Sequence, residues 1–228
     1  VVAARLPVVL TDIEGTTGSI RFVHDVLFPH SRERMAAFLA AHRDEPAVRA
    51  EIEAVAREAG LAPDDLPAVT ATLVRWIDED RKATPLKALQ GMIWKDGFES
   101  GELVAHIYPD AAARLRAWHA AGHPIHVYSS GSIAAQKLYF AHTGEGDLTP
   151  ILSGHFDTTT GGKREARSYR AIAARVGVDP ADIVFLSDVE AELEAAEQAG
   201  MRTVWLTRDG RPDGATRPSV ASFDEITL

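Results

Sequence analysis

The stretch "VVLTDIEGTTGSIRFVHDVLFPH", residues 8–30, decides how the chain is read. A branched apolar run, Val8 to Leu10, reads as a buried strand. It ends on two acids one residue apart, Asp12 and Glu14, before Gly15 and two threonines. Similar runs recur at Ile125 to Tyr128, Ile183 to Leu186 and Thr203 to Leu206, each followed by a polar or glycine-containing turn. Helical patterns at Asp110 to Ala121, Ile133 to His142, Ser168 to Val176 and Glu190 to Ala199 alternate with these runs. That alternation predicts an α/β fold built on a doubly wound parallel sheet.

The connection after the first strand breaks the rhythm. From about Ser31 to Leu103 there is no strand signal, only Ala-, Glu- and Arg-rich amphipathic stretches at Arg32 to His42, Ala47 to Ala59, Ala68 to Lys82 and Pro85 to Leu103. A connection of that length must fold by itself, so residues 31–103 read as an inserted helical domain. Residues 1–30 and 104–228 then make the α/β core domain. The turn-rich "DGRPDGATRPS" after Arg208 reads as a surface segment.

At 228 residues, 46% apolar and 25% charged, the chain has the composition of a globular protein with a sizeable core. A net charge of -9 supplies no basic field, which argues against nucleic acid and anionic membranes as partners. No cysteine is present, so disulfides and thiolate metal sites are excluded. No apolar run approaches the roughly 20 residues of a membrane span. The N-terminal "VVAARLPVVL" is too short and interrupted for a signal peptide and reads as the first strand. A cytoplasmic monomer is the expectation.

In open α/β sheets the ligand crevice lies beyond the carboxyl ends of the strands. Those ends carry Asp12 and Glu14, then Ser129 and Ser130, then Ser187 and Asp188, while Lys163 precedes the helix leading to the strand at Ile183. Asp12 and Asp188 together would repel unless a cation sat between them, and Mg²⁺ suits oxygen ligands that also face phosphate. Serine hydroxyls and free N–H groups of a following helix suit phosphoryl oxygens, and the Lys163 ammonium offsets remaining charge. Each position alone has a plainer reading. Asp12, Ser129, Ser130 and Asp188 fit helix caps or turns, and Glu14 and Lys163 fit solvated loop charges. The "GGK" at Gly161 to Lys163 lacks the spacing of a P-loop, and no GxGxxG follows the first strand. His119 and His123 look like a solvated helix end, not a zinc site.

The order Asp-x-Glu, Ser, Lys, then a strand ending in Asp resembles the haloacid dehalogenase superfamily of phosphotransferases, most of which have Asp where Glu14 stands. The runs "DIEGTT", "FVHDVLFPH", "LKALQGMIW", "VYSSGS", "FDTTTGGKREARSYRAIA" and "FLSDVEAELEAAEQAG" are similar to the enolase-phosphatase E1 family, the acireductone synthases of methionine salvage. The similarity covers nearly the whole chain, including the helical insert, which by resemblance is a cap domain. "TRDG" at Thr207 to Gly210 departs from the family's Arg-Pro-Gly pattern.

The resemblance implies a substrate, 2,3-diketo-5-methylthiopentyl 1-phosphate, that is enolised and then dephosphorylated through an aspartyl phosphate. It implies Asp12 as nucleophile, with Glu14 and Lys163 as further catalytic residues. Asp12, Glu14 and Asp188 then form the Mg²⁺ site, and Ser129, Ser130 and Lys163 bind substrate. Within the insert, Trp76, Phe98 and Leu103 read as core, whereas Lys87, Gln90 and Trp94 are candidates for facing the substrate. A phosphatase or phosphomutase for another small phosphorylated metabolite remains the alternative on the same fold. A receiver that accepts phosphate on Asp without turnover is the alternative of another class.

Overall fold

The computed structural model describes residues 6–228, so residues 1–5, read above as the lead-in to the first strand, lie outside the described residues. Six strands, β1 (Val8–Thr11), β2 (Ile125–Tyr128), β3 (Gly154–Phe156), β4 (Ile183–Ser187), β5 (Arg202–Leu206) and β6 (Ser219–Val220), form one sheet. Every pairing is parallel, and the order is β3-β2-β1-β4-β5-β6. Central strands buried on both faces need continuous apolar runs, which is why β1 and β4 are buried throughout. Leu10 lies between His126 and Phe185 in register. From β1 the chain winds outward through β2 to β3, then returns to β4 on the other side of β1. The winding reverses between β1 and β4, and the crevice beyond their carboxyl ends is where this topology places a ligand.

The chain divides after Ile20 and again after Val104, leaving residues 21–104 as a separate helical unit. That unit takes in residues 21–30, which the sequence reading grouped with the strands. Its chain begins at the end of α1 (Ile20–Phe22) and passes through a π-helical turn, Val23–Leu27, into α2 (Phe28–His42). There follow α3 (Pro46–Ala59), α4 (Leu66–Asp78) and α5 (Thr84–Glu99). Proline in the first turn of each of the last three fits positions whose N–H has no helical partner. Met35, Leu39, Ile52, Leu73, Trp76 and Leu89 fill the unit's core. Phe98 and Leu103 are buried as expected.

Two of the three candidates for facing the substrate make hydrogen bonds within this unit. Gln90 is buried and donates to Ser31 Oγ at 3.3 Å, and Trp94 Nε1 donates to the Leu27 carbonyl at 2.9 Å. Lys87 is half-buried. Periodicity gives the face of a helix but not which neighbour covers it.

In the strand-containing unit, α6 (Pro109–Ala120), α7 (Ile133–Ala141), α8 (Ala166–Val176) and α9 (Glu190–Gln198) lie close to the spans read from sequence. A core of Val8, Leu10, Tyr128, Tyr169, Phe185 and Trp205 covers one side of the sheet. Ser132, not Ser129 or Ser130, caps α7, accepting from Ala135 N–H at 3.2 Å. The segment after Arg208 is largely exposed but ends in β6. Among the described residues no helix is long and apolar enough to cross a membrane.

Candidate active site

Asp12 follows β1 directly and is only 3% exposed. Its Oδ1 accepts from Ile13 N–H at 2.8 Å and faces Lys163 Nζ at 2.7 Å. Lys163 reaches it from the loop between β3 and α8 and meets a second carboxylate, Glu192 Oε2, also at 2.7 Å. Ser187, the last residue of β4, donates its hydroxyl to the same oxygen at 3.2 Å. Burial alone would pull the Lys163 ammonium down, but Asp12 and Glu192 more than offset it and hold the group above its ordinary range. Lys163 is therefore a fixed cation within the site, not a solvated loop charge.

Glu14 is likewise no solvated acid. Ser129, fully buried at the end of β2, donates its hydroxyl to Glu14 Oε2 at 3.1 Å and accepts from Gly131 N–H at 3.2 Å. Burial and then the nearby Asp12 raise the Glu14 carboxyl above the usual range. Ser130, the next residue, is exposed in the loop that leads to α7. The structure thus brings Asp12, Glu14, Ser129 and Lys163 into one connected group.

Asp188 follows β4 and does not cap α9, whose N-cap is Val189. Its N–H donates to Thr16 Oγ1 at 3.0 Å, tying the β4 end to the loop after β1. Thr16 is fixed in turn by Arg208, which donates to the Thr16 carbonyl at 2.9 and 3.1 Å, pairs with Asp110 at 2.6 Å and lies over the Tyr108 ring. Gly15 stands against Asp188: its φ is +73° and a Cβ there would sit 2.1 Å from Asp188 Oδ2. Only glycine leaves room for that carboxylate in this conformation.

The site holds four buried or half-buried carboxyls, Asp12, Glu14, Asp188 and Glu192, against one ammonium. Burial first, and Asp12 second, push the Asp188 carboxyl up to about 7, and the same two causes raise Glu192. Asp188 Oδ1 is buried with no hydrogen-bond partner. An unpartnered buried carboxylate oxygen beside Asp12 fits a hard divalent cation. Among the described residues no three acidic or imidazole side chains gather into a metal cage. The three acids expected from sequence, Asp12, Glu14 and Asp188, therefore do not converge on one point, and Asp12 with Asp188 is the pair whose donor chemistry fits Mg²⁺.

Glu192 escaped the sequence reading, although the spacing Asp188-x-x-x-Glu192 at the start of a helix carries a signal. Two acids four apart, one at a strand end and one in the first helical turn, can face the same point. Arg208 and Thr16 carried no such signal, because their partners are distant in the chain.

The profile of the haloacid dehalogenase-like hydrolases matches residues 6–200. Enolase-phosphatase E1 of Marinobacter nauticus is 52% identical over 220 residues, covering 96% of each chain. The enzyme of the same name from Pseudomonas aeruginosa is 53% identical over 221 residues, or 96% of this chain and 97% of that one. Among solved structures, the Unknown transcript 4 protein of Saccharomyces cerevisiae superposes with a TM-score of 0.80 at 31% identity, covering 97% of this chain and all of that one.

Proposed function

The chain belongs to the enolase-phosphatase E1 family of haloacid dehalogenase-like hydrolases, and from that premise we propose how its site works on a small phosphorylated diketone. The reaction converts 2,3-diketo-5-methylthiopentyl 1-phosphate to 1,2-dihydroxy-3-keto-5-methylthiopentene, an acireductone, and phosphate in methionine salvage. The observation that carries the mechanism is the Lys163 ammonium at 2.7 Å from Asp12 Oδ1, within a site whose other acids are pushed toward protonation.

Asp12 is the nucleophile. Its carboxylate attacks phosphorus in line, the bond to the substrate oxygen breaks, and an aspartyl phosphate results. Lys163 pairs with Asp12 and neutralises equatorial phosphoryl oxygens, while Glu192 and Ser187 keep the ammonium in place. Ser130 offers its hydroxyl and loop N–H to the phosphate, and Ser129 fixes Glu14. Burial and then Asp12 raise the Glu14 carboxyl, which suits it to give a proton to the leaving oxygen and to recover one from the attacking water. Asp12 and Asp188, with Glu14 beside them, would hold Mg²⁺, which would supply Lewis-acid charge for the phosphoryl group and the substrate carbonyl. The chain works in the cytoplasm as a monomer.

A panel of substrates tests this. Purified protein with Mg²⁺ should release phosphate from the diketone phosphate at least about 100-fold faster, in kcat/KM, than from sugar phosphates or p-nitrophenyl phosphate, a gap of about 2.7 kcal/mol. Comparable rates across the panel would leave a general phosphatase.

A further inference from the structure

The loop that carries Lys163 is fixed in a manner that the chemistry of the site does not itself require. Three successive carbonyls, of Gly161, Gly162 and Lys163, each accept a side-chain hydroxyl. Tyr128 donates to Gly161 O at 2.8 Å, Ser168 to Gly162 O at 2.8 Å, and Tyr169 to Lys163 O at 2.6 Å. All three donors are essentially buried, at 0%, 1% and 0% exposure. They come from two rigid elements, the end of β2 and the first turn of α8. The Tyr128 and Tyr169 rings meet edge to face at 5.5 Å, and the Lys163 ammonium lies 5.8 Å from the Tyr128 centroid.

The glycines fit the same device. Gly161 has φ +142°, and a Cβ on it would fall 2.2 Å from Ser168 Oγ, so a side chain there would displace the hydroxyl that holds the next carbonyl. Burial raises both tyrosines, which keeps each as a donor at any working pH. From this geometry we infer that Tyr128, Ser168 and Tyr169 are positioning residues, a three-hydroxyl clamp that holds the Lys163 backbone so that its ammonium stays between Asp12 and Glu192. A long flexible lysine loses several rotors on reaching a buried point, and a fixed backbone lowers the number of competing conformers. The catalytic consequence rests on the phosphatase reading above, but the clamp itself does not.

Tyr169→Phe keeps the ring and removes one hydroxyl, and Ser168→Ala is the second, smaller variant. Each is treated with acetic anhydride without substrate. Acetylation of Lys163 is followed by peptide mass spectrometry against exposed Lys137 in the same molecule. The clamp requires Lys163 to become about tenfold more reactive relative to Lys137, the factor that loss of one buried hydrogen bond commonly produces. Phosphate release from the diketone phosphate should fall in kcat by a similar factor. A lower melting point with unchanged relative reactivity of Lys163 would mean the hydroxyls serve stability only, and would overturn the proposal. Should Tyr169→Phe not fold, the same two outcomes are read from Ser168→Ala. If wild-type protein ignores the diketone phosphate, the functional reading fails while the labelling ratio still decides the clamp.

Discussion

Replacing Asp188 with asparagine is expected to abolish turnover and yet stabilise the metal-free fold at alkaline pH. Burial and Asp12 raise this carboxyl from 3.8 to about 7 in the folded chain. A raised acid contributes stability that is fully present below its unfolded value, here 3.8, and is lost as pH rises through about 7. At pH 8 Asp188 is ionised among Asp12 and Glu192, and carrying it from 3.8 to about 7 corresponds to about 4 kcal/mol of cost. Partial access to water reduces that to about 2–3 kcal/mol. At pH 4, close to its unfolded value, Asp188 is protonated in the folded chain and about half protonated in the unfolded one, so little of that cost has appeared. The assay is urea unfolding followed by circular dichroism, in excess chelator, for both proteins at pH 4 and pH 8. Asp188→Asn should exceed wild type by about 2–3 kcal/mol at pH 8 and by less than about 1 kcal/mol at pH 4. Equal stability at pH 8, or the same difference at both values, would refute the electrostatic reading of the site.

Lys163→Met leaves Asp12 and Glu192 without their shared cation, and phosphate release should fall by about 10²–10³-fold. Its melting point should fall further below wild type at pH 8 than at pH 5, because burial and Asp12 already favour a neutral Glu192 as pH falls; calorimetry at both values checks this. Gly15→Ala places a Cβ 2.1 Å from Asp188 Oδ2 in a left-handed backbone, so Asp188 or the loop must move. Isothermal titration should show Mg²⁺ bound at least about tenfold more weakly, a loss of about 1.4 kcal/mol.

Much of this was legible in the sequence, for identifiable reasons. Strands β1 and β4 are buried throughout and need continuous apolar runs, and the partly exposed β2 and β5 still carry enough branched and aromatic residues to stand out. The edge strands were missed: β3 is three residues beginning Gly154-His155, and β6 is Ser219–Val220, too short to carry a pattern. Strand-end placement brought Asp12, Ser129 and Asp188 toward one crevice before any coordinates, since that rule depends on topology alone. What sequence could not give was the partner of each side chain. Ser129 was read as a cap or phosphate ligand, yet its hydroxyl is directed to Glu14, and the capping falls to Ser132. Glu192 and the hydroxyls of Tyr128, Ser168 and Tyr169 act through contacts that cross between elements.

The most direct test of Asp12 as the phosphorus nucleophile supplies 2,3-diketo-5-methylthiopentyl 1-phosphate and saturating Mg²⁺ to wild type and to Asp12→Asn, following enol absorbance and free phosphate together. The amide oxygen is a poor nucleophile but still a weak donor to a metal. Asp12→Asn should therefore release no phosphate while an ultraviolet-absorbing enol accumulates with its phosphate attached, as mass spectrometry of the quenched mixture would show. Phosphate release by Asp12→Asn at a rate near that of wild type would contradict the mechanism.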